Sequence, residues 1–538
     1  MSARPISRPF PILPQPLSST GVSKPRAVSA VLKISIFATG LAGIVAEFVL
    51  STLATYIIGN AVLQWTVVMS LMFFAMGLGS RVSLIFRHKL LDTFIIIEFS
   101  LSLLCASAAI LAYGLAAYTV YTSLLIYTQA FFVGLFIGLE IPLVIRLNNT
   151  YQELRSNIAA IMEKDYYGAL LGGLLFAFFA LPYLGLTYTP IALGIVNFLV
   201  ASLLLWRFFN LIGRKKLLVS SFVVSLSVLI ALGVLSKPII LYGEQRQFRD
   251  KVIFTKQTPH QKIVITKWKN HYWLYINGQE QFSTFDEEKY HEPLVHPGMN
   301  LTADRHKILI LGGGDGLALR EVLKYSDVSS VTLVDLDPAM TDLAQTHYVL
   351  LDVNQGSMKD SRVTVINQDA AAFLKDDSTF YGAIFIDLPD PDSVDLMHVY
   401  SQNFYRLVHR RLMAGGMLAV QATSPYFSRQ AFLSILKTVE AAGFSVLPYH
   451  NQIPTMGEWG WVLGARAEDF SKEILKRRVL AFDFEGLDTR FFNTGAMISM
   501  AHFGKGILED PDADKIKINT ESNPVLMKYY RLGTWGVY

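Results

Sequence analysis

The sequence predicts an N-terminal α-helical transmembrane bundle of about seven spans, followed by a small antiparallel β domain and a Rossmann-like α/β domain. Apolar residues make up 52% of the 538 residues and charged residues only 17%, whereas a typical soluble chain carries about 25% charged residues. Residues 1–242 have a net charge of +9 and the remainder has −5. An apolar, sparsely basic half before a mildly acidic half is typical of a membrane domain joined to a soluble one.

These patterns divide the chain into five segments. A proline-rich tail that cannot bury a core is expected to be disordered, and the remaining boundaries follow the changes of pattern described below. The predicted segments are the tail at 1–27, the helical domain at 28–242, the β domain at 243–300, the α/β domain at 301–510 and a C-terminal extension at 511–538.

Composition also excludes several classes of function. Phosphate binding needs a basic face, so the acidic second half disfavours nucleic acid as a partner. Cys105 is the single cysteine of the chain, which excludes an intrachain disulfide and a zinc site built on several cysteines. No metal site and no bound cofactor are predicted.

The helical domain is predicted from runs of about 20 apolar residues, a length that crosses a bilayer. Seven such runs occur, of which the sixth is short: 34–57, 62–79, 94–113, 120–145, 167–184, 191–205 and 217–235. Lysine and arginine fall in alternate gaps between the runs, so the positive-inside rule places the N-terminus in the cytoplasm. Seven spans would then place the C-terminal domain on the far side.

Four acidic residues lie within or at the ends of the apolar runs: Glu47, Glu98, Glu140 and Asp165. A charge at membrane depth is costly and often functional. Glu47 lies deepest in its run. The sequence leaves open whether such a carboxyl is a structural group facing the bundle or a site for a cationic solute.

The small β domain is predicted from alternation of apolar and polar residues over 252–285. The dipeptide Asn277-Gly278 lies between two such segments. Asn-Gly is a strong signal for a tight β-hairpin. We therefore expect a small antiparallel sheet.

The α/β domain is predicted from five apolar strands separated by helical stretches. The strands begin near residues 308, 331, 363, 383 and 417, and most of them end in a polar residue. Strand–helix alternation indicates a doubly wound parallel sheet. Ligands of such sheets bind at the carboxyl ends of the strands.

A glycine-rich turn, residues 312–316, directly follows the first of these strands, and glycines allow close approach of a ligand. Asp335, about 20 residues on, suits a ribose diol, which fits a dinucleotide enzyme or a sulfonium-nucleoside transferase. Asp315 lies inside the turn, where it would repel a phosphate and favour a cation. Asp387 and Asp390 follow the fourth strand on a proline-containing turn, and such a pair can supply a general base and a cation-binding carboxylate.

The chain resembles the polyamine aminopropyltransferases (the spermidine synthase family), in particular their membrane-bound bacterial form. The resemblance covers about residues 250–465 in order, and the apolar half is similar to the family's membrane domain. The matching motifs are Gln261 in TPHQ, Phe285-Asp286-Glu287, Tyr290-His291-Glu292, Val295-His296-Pro297, the 312–316 turn with Arg320-Glu321, 334–338, Gln368-Asp369-Ala370, 387–391, Tyr400-Ser401, Phe404-Tyr405 and 457–460.

The resemblance implies a methyltransferase-type Rossmann-like fold. It also implies transfer of an aminopropyl group from decarboxylated S-adenosylmethionine, a co-substrate, to a polyamine. The acceptor is typically putrescine, which gives spermidine, and methylthioadenosine is released. By the family pattern Asp387 takes the proton of the attacking amine. The amine pocket would contain Tyr290, His291, Asp315, Asp390 and Trp459, and the nucleoside site Gln261, Gly312, Gly314, Asp335, Asp369 and Ala370.

Two alternatives remain open at this stage. A membrane-anchored S-adenosylmethionine methyltransferase would share the sheet and the ribose acid, but it gives no reason for the cluster of Asp315, Asp387 and Asp390. The helical domain could instead form a polyamine transporter or sensor, with the soluble domain serving for binding alone. The sequence leaves open the acceptor amine and self-association into a homo-oligomer.

The expected location is the cell (inner) membrane, with several passes and the lipid bilayer as a partner. Two indications of the side of the membrane on which the catalytic domain lies disagree. Charge bias puts that domain outside the cytoplasm, whereas its donor nucleoside is made inside.

Overall fold

The computed structural model of the chain describes residues 25–58, 61–116, 119, 121–149, 153–484, 486, 488–508 and 515–535. The chain divides into two compact units, Met1–Gln247 and Phe248–Tyr538. Most of the expected tail, residues 1–24, lies outside the described residues. The first helix begins at Pro25 and the last helix of the first unit ends at Gln247, a few residues beyond the predicted limits at each end.

The first unit is helical throughout its regular elements. Its helices are α1 (Pro25–Ile58), α2 (Ala61–Val82), α3 (Leu90–Ala116), α4 (Thr122–Asn148), α5 (Leu154–Leu175), α6 (Gly185–Arg207) and α7 (Lys215–Gln247). A π-helical segment, Phe176–Leu184, joins α5 to α6.

Six helical stretches among the described residues are long and apolar enough to cross a membrane, judged by length and composition. The predicted fifth and sixth spans both fall in one 54-residue stretch, Leu154–Arg207, so the prediction of seven separate spans is not confirmed. The stretch is interrupted at Gly185, whose φ of +62° and ψ of −172° form a combination that essentially only glycine adopts. A missing polar loop explains why the two spans merge.

Contacts between helices give their relative directions. Paired positions rise together along parallel helices and in opposite order along antiparallel ones. The facing pairs are Phe37 with Gly168 and Leu41 with Gly172 for α1 and α5; Phe99 with Phe198 and Ala106 with Gly194 for α3 and α6; and Phe99 with Phe222 and Tyr113 with Gly243 for α3 and α7. Thus α5 is parallel to α1, α6 is antiparallel to α3, and α7 is parallel to α3.

The second unit begins with the predicted antiparallel sheet. Its strands, in spatial order, are β1 (Lys251–Gln257), β2 (Lys262–Trp268), β3 (His271–Ile276) and β4 (Gln279–Ser283). Asn277 and Gly278 have φ values of +52° and +85°, as the central residues of a tight hairpin turn require. The small antiparallel sheet is confirmed.

A second sheet has seven strands. Together with the helices around it, the chain order is α8 (Glu288–Leu301), β5 (Lys307–Gly312), α9 (Leu317–Leu323), β6 (Ser330–Asp335), α10 (Pro338–Thr346), α11 (Tyr348–Val353), β7 (Val363–Asn367), α12 (Ala370–Asp376), β8 (Tyr381–Asp387), α13 (Gln402–Arg411), β9 (Leu412–Gln421), α14 (Arg429–Ala441), β10 (Phe444–Ile453), β11 (Gly457–Arg466), α15 (Lys472–Ala481), α16 (Thr494–Met500) and α17 (Leu526–Arg531).

The strand order of this sheet is β10-β11-β9-β8-β5-β6-β7. The five predicted strands are β5 to β9, and they pair in parallel. The sequence did not indicate the antiparallel pair β10 and β11 at one edge. Alternate residues of β5 enter two separate hydrophobic clusters, so both faces of the sheet are buried, as in Rossmann-like folds.

Candidate active site

The glycine turn lies directly against the end of β8. Gly312 pairs with Asp387, and the Gly313 N–H donates to the Asp387 carbonyl at 2.9 Å. A Cβ on Gly312 would lie 2.0 Å from that carbonyl oxygen, and a Cβ on Gly314 would lie 2.4 Å from a carboxylate oxygen of Asp335. Glycine is therefore required for the turn to approach both strand ends so closely.

Asp387 is held by a tyrosine. The Tyr290 hydroxyl, from α8, donates to Asp387 Oδ1 at 2.7 Å. Burial and then the charge of Asp315 raise the pKa of Asp387 to about 6, although His291 and the Tyr290 hydrogen bond oppose the shift. The second carboxylate oxygen, Oδ2, lies 3.3 Å from the Cβ position of Gly313, so the carboxyl faces the glycine turn.

His291 follows on the same helix and is 1% exposed. Its Nδ1 lies 2.9 Å from the Glu287 carbonyl oxygen and 3.2 Å from Glu287 Oε2. Both are acceptors, so Nδ1 must carry the proton. Nε2 of a neutral His291 is then an acceptor.

The charge of His291 is set by its neighbours. Burial disfavours the imidazolium, but the hydrogen bond with Glu287 and the charges of Asp315 and Asp387 outweigh burial and raise the pKa of His291. Because each of these carboxylates acts on the same ring, Asp315, Asp387 and His291 form one electrostatic group.

Glu287 is a residue whose role the sequence did not reveal, although it belongs to a matching motif. Arg320 donates to both of its carboxylate oxygens, at 3.0 and 2.9 Å, and Arg490 also bonds to it. Burial would raise the pKa of Glu287, but bonds from His291 and Arg320 lower it well below its usual range. Glu287 therefore remains ionised and fixes the His291 ring.

Asp315 is half-buried inside the glycine turn, where its Oδ1 accepts from the Leu317 N–H at 2.8 Å. Burial raises its pKa, and the charge of His291 lowers it. Its charge acts in turn on Asp387 and on Asp335. The structure thus brings Asp315, which follows β5, to the carboxylates at the ends of β6 and β8, the strands on either side of β5.

Asp390 lies in an adjoining polar pocket. Gln421 Nε2 donates to one of its oxygens at 2.9 Å and the Thr423 hydroxyl to the other at 3.1 Å, and the Tyr530 side chain also bonds to it. Burial raises the pKa of Asp390 to about 6. Its charge acts on Tyr290 together with that of Asp387, so both aspartates influence the same tyrosine.

Tyr530 was not a predicted site residue and lies in the expected C-terminal extension. Its pocket could not be predicted because 140 positions separate it from Asp390 along the chain. No local motif marks it, and only tertiary packing brings α17 to this edge of the sheet.

The predicted ribose acid is at the end of β6. Burial, followed by the charges of Asp337 and Asp315, raises the pKa of Asp335 to about 6. Thr258 donates to Asp337 at 2.8 Å and accepts from the Gln261 N–H at 2.9 Å. These bonds tether the β1–β2 turn, which carries Gln261, to the segment that follows Asp335.

Asp369 and Ala370 mark the start of α12, beyond the end of β7. Asp369 caps the helix by accepting from the Ala372 N–H at 2.8 Å, and His398 Nε2 lies 2.8 Å from its other oxygen. Burial favours the neutral form, but these bonds lower the pKa of Asp369. Ala370 is buried. Both residues lie at the carboxyl edge of the sheet.

Trp459, on β11, packs between two other aromatic side chains, Tyr290 and Trp535, beside the predicted amine pocket. Its ring centroid lies 6.3 Å from that of Tyr290 and 6.3 Å from that of Trp535. Its indole N–H has no hydrogen-bond partner among the described residues. Aromatic faces attract cations, so a group of rings of this kind suits an ammonium ion.

Comparison with known proteins gives a consistent result. A family model described as "Spermine/spermidine synthase domain" matches residues 287–475. The chain is 41% identical to polyamine aminopropyltransferase 2 of Aquifex aeolicus over 506 residues, which is 94% of this chain and 99% of that protein. It is 35% identical to the polyamine aminopropyltransferase of Leptospira interrogans, over 93% and 97% of the two chains.

Among solved structures, the spermidine synthase of Thermotoga maritima is similar with a TM-score of 0.41 and 24% identity. The match covers 48% of this chain and 87% of that one.

Proposed function

The chain belongs to the polyamine aminopropyltransferase family, and from that premise we propose that it transfers the aminopropyl group of decarboxylated S-adenosylmethionine to putrescine. The relatives and the matching domain make it an aminopropyltransferase of polyamine biosynthesis. Putrescine as acceptor, spermidine as product and the release of methylthioadenosine belong to the proposal.

The proposed step begins with a proton transfer. Putrescine is a diammonium ion, and an ammonium nitrogen has no lone pair with which to attack. Asp387 accepts one proton, and the freed nitrogen attacks the aminopropyl carbon bonded to the sulfonium. A carbon–nitrogen bond forms as the carbon–sulfur bond breaks, and the electron pair leaves on sulfur as neutral methylthioadenosine. A proton-accepting carboxylate of this kind contributes typically about 10²–10⁴-fold to the rate.

The other side chains divide between the two ends of the amine. Asp315, and Nε2 of His291 while its ring is neutral, would accept hydrogen bonds from N–H groups of the amine or of the aminopropyl group. Asp390 would hold the far ammonium, with Tyr290 and Trp459 as its aromatic surroundings. Gln261, Asp335 and Asp369 would bind the nucleoside across the glycine turn. The carboxylates suit these roles because the amine is a cation, and the aromatic rings suit them because aromatic faces attract cations.

One observation carries the proposal. Asp315, Asp387 and His291 act electrostatically on one another directly beside the glycine turn. A pocket of negative charge at that place suits a cation next to a sulfonium nucleoside, whereas it would repel a phosphate.

The test is incubation of the purified full chain with decarboxylated S-adenosylmethionine and a panel of linear amines that differ by single methylenes. The expected result is methylthioadenosine formation in equal amount to spermidine, fastest with putrescine. Faster turnover with another amine would assign that amine as the acceptor instead of putrescine, because the length of a pocket can discriminate between amines that differ by one methylene. A methylated product from S-adenosylmethionine would favour the methyltransferase alternative, although the relatives above are named for aminopropyl transfer.

For the first unit, we propose seven crossings of the cell membrane, with the reversal at Gly185. The 54-residue stretch would be about 80 Å long if straight, against about 30 Å of hydrocarbon. α1 is antiparallel to α4, since Thr39 bonds Glu140 and Gly43 faces Ile137, and α4 follows α3 in a hairpin, so α1 and α3 point the same way. α5 and α6 therefore point in opposite directions, which supports two crossings. Reporter fusions at residue 88, at Thr187 and at the C-terminus test this, since seven crossings require residue 88 on one side and the other two positions on the opposite side.

A further inference from the structure

The C-terminal extension contributes side chains to the pocket around Asp390. Tyr530, on α17, is 9% exposed, and its side chain bonds to Asp390. Gln279 Nε2, on β4, donates to the Tyr530 hydroxyl at 3.5 Å. The next residue, Arg531, donates to the Asp392 carbonyl at 3.3 Å. Two consecutive side chains of the extension therefore contact the turn that follows β8.

The extension is fixed to the catalytic unit at a buried asparagine. Asn519 is 0% exposed, and its amide N–H groups donate to the Met397 and Tyr400 carbonyls at 2.9 and 3.1 Å. The Asn519 backbone carbonyl accepts from the Gln402 N–H at 2.9 Å, and α17 packs against α14. The position of α17, and hence of its tyrosine, is set by packing within the same unit.

Asp390 keeps an acceptor position for a guest. An ionised carboxylate has about four acceptor positions. Gln421, Thr423 and Tyr530 together supply three hydrogen bonds to Asp390. All three donors are neutral, so they leave the carboxylate its negative charge and about one acceptor position. A single ammonium group fits that remaining place.

Four aromatic rings form a continuous row beside the two aspartates of the proposed site. The Trp535 ring centroid lies 5.2 Å from that of Tyr530 and 6.3 Å from that of Trp459. Trp459 in turn lies 6.3 Å from Tyr290. The row starts at the tyrosine bonded to the proposed proton acceptor and ends at the tyrosine bonded to Asp390. The C-terminal extension supplies half of the row, including the end at Asp390.

We propose that Tyr530 is a specificity-determining residue of the transfer reaction, which closes the amine pocket at Asp390 and thereby limits the length of the acceptor. This role rests on the proposed function, in which Asp390 holds the far ammonium of putrescine. A diamine spans the pocket from the nitrogen that attacks to the ammonium at Asp390. One more methylene pushes that ammonium beyond Asp390, toward the boundary of the pocket.

That boundary has a fixed side and a side supplied by the extension. Gln421 is the last residue of β9 and Thr423 follows it closely, so the seven-stranded sheet sets both positions. The ring of Tyr530 comes from outside the sheet and lies against Trp535. Loss of the ring makes the end of the pocket longer, whereas loss of the hydroxyl alone removes one donor from Asp390 and leaves the length unchanged.

The test measures kcat/KM of the purified full chain for putrescine and for cadaverine, the diamine with one more methylene, as methylthioadenosine release. In Tyr530→Ala the ratio of the putrescine value to the cadaverine value is expected to fall at least about tenfold, since one methylene in a pocket is worth about 10–200-fold. Tyr530→Phe should keep the ratio and raise KM for putrescine. The matched control is Tyr529→Ala, which should change neither quantity, because the Tyr529 hydroxyl accepts from the Lys517 N–H at 3.2 Å.

An unchanged ratio in Tyr530→Ala would overturn the proposal, and so would an equal fall in Tyr529→Ala, because a general disturbance of α17 would then explain it. A fall in Tyr530→Phe as large as in Tyr530→Ala would overturn it too, since the hydroxyl and not the length of the pocket would set the preference. If Tyr530→Ala fails to fold, Tyr530→Leu replaces it with the same expectation. A wild type that turns over no amine refutes the proposed function, on which this role depends, whereas wild-type turnover with an unchanged ratio refutes this role alone.

Discussion

The buried carboxylates of the two units differ in what surrounds them. At the edge of the seven-stranded sheet, Asp387 accepts from a tyrosine and Asp390 from an amide and a hydroxyl. In the helical unit, neither oxygen of Glu98 has a hydrogen-bond partner in the part of the chain that the structure describes. The comparison teaches that burial alone does not define a site. Neutral donors hold a carboxylate in position while leaving it negative, whereas burial without donors favours the neutral carboxyl.

The strongest test of this comparison is Asp387→Asn. The variant keeps the shape and the Tyr290 contact but removes the proton acceptor. We expect kcat/KM with putrescine to fall by about 10²–10⁴-fold, measured as methylthioadenosine release. A decrease smaller than about tenfold would mean that another group, such as His291, takes the proton.

A second large effect is expected on stability. Glu287→Gln breaks a buried pair with Arg320, whose side chain is 6% exposed against 1% for Glu287, and leaves the guanidinium with one carboxylate partner instead of two. Removing one partner of such a pair costs about 3–5 kcal/mol. Denaturant unfolding of the detergent-solubilised chain should show a loss near the lower value, since Arg320 retains Glu321.

Glu288→Gln is the matched control for that measurement. Glu288 is the neighbouring residue, and its contact with Arg490 is long, at 3.6 Å. Its loss should change the free energy of unfolding by less than about 1 kcal/mol. Equal losses for the two variants would show that the buried Glu287–Arg320 pair stabilises the fold no more than the long Glu288–Arg490 contact does.

An intermediate effect is expected from Tyr290→Phe on the pH dependence. The pKa of Asp387 is raised to about 6, and the Tyr290 hydrogen bond lowers it from a still higher value. A proton acceptor works only when ionised, so kcat/KM should rise with pH through about 6 in the wild type. Without the hydroxyl that inflection should move to higher pH, and the rate at pH 7 should fall about tenfold. If the inflection does not move, the group that titrates near pH 6 is not Asp387.

The smallest effect is expected from Glu98→Gln on the transfer reaction. Because Glu98 lies in the other unit, kcat and KM for putrescine should remain within about twofold of wild type, while the stability of the helical unit should not fall. Replacing an unpaired buried carboxyl by an amide removes a charge without removing a bond. A large loss of aminopropyl transfer would instead show that the helical unit influences the reaction in the other unit.

Much of the catalytic unit could be predicted from the sequence. The five parallel strands and the Asn277-Gly278 hairpin follow from local periodicity and turn chemistry, which the chain itself carries. The β10–β11 pair was missed because Pro448 and Gly457 interrupt its pattern, and its pairing depends on β9. The sequence did not show that a π-helical segment and the break at Gly185, instead of a polar loop, join α5 to α6, since apolar runs do not show where a loop is absent.

The acidic residues of the candidate site could be predicted from the sequence, but the side chains that donate hydrogen bonds to them could not. Asp315, Asp335, Asp387 and Asp390 each follow a strand, so topology brings them to one edge. Tyr530 and Thr423 reach Asp390 through tertiary packing that no local pattern encodes. Sequence therefore indicates which groups carry charge, and the structure adds what holds each of them.

The central claim is that Asp315 and Asp387 share one pocket for a cationic amine. A double-mutant cycle tests it most directly, with putrescine affinity measured for wild type, Asp315→Asn, Asp387→Asn and the double variant, each saturated with methylthioadenosine. Groups that share a guest are coupled by about 0.5–3 kcal/mol, whereas independent sites add. The account predicts a coupling above about 1 kcal/mol. Strict additivity of the two losses would contradict it, because the two carboxylates would then act in separate places.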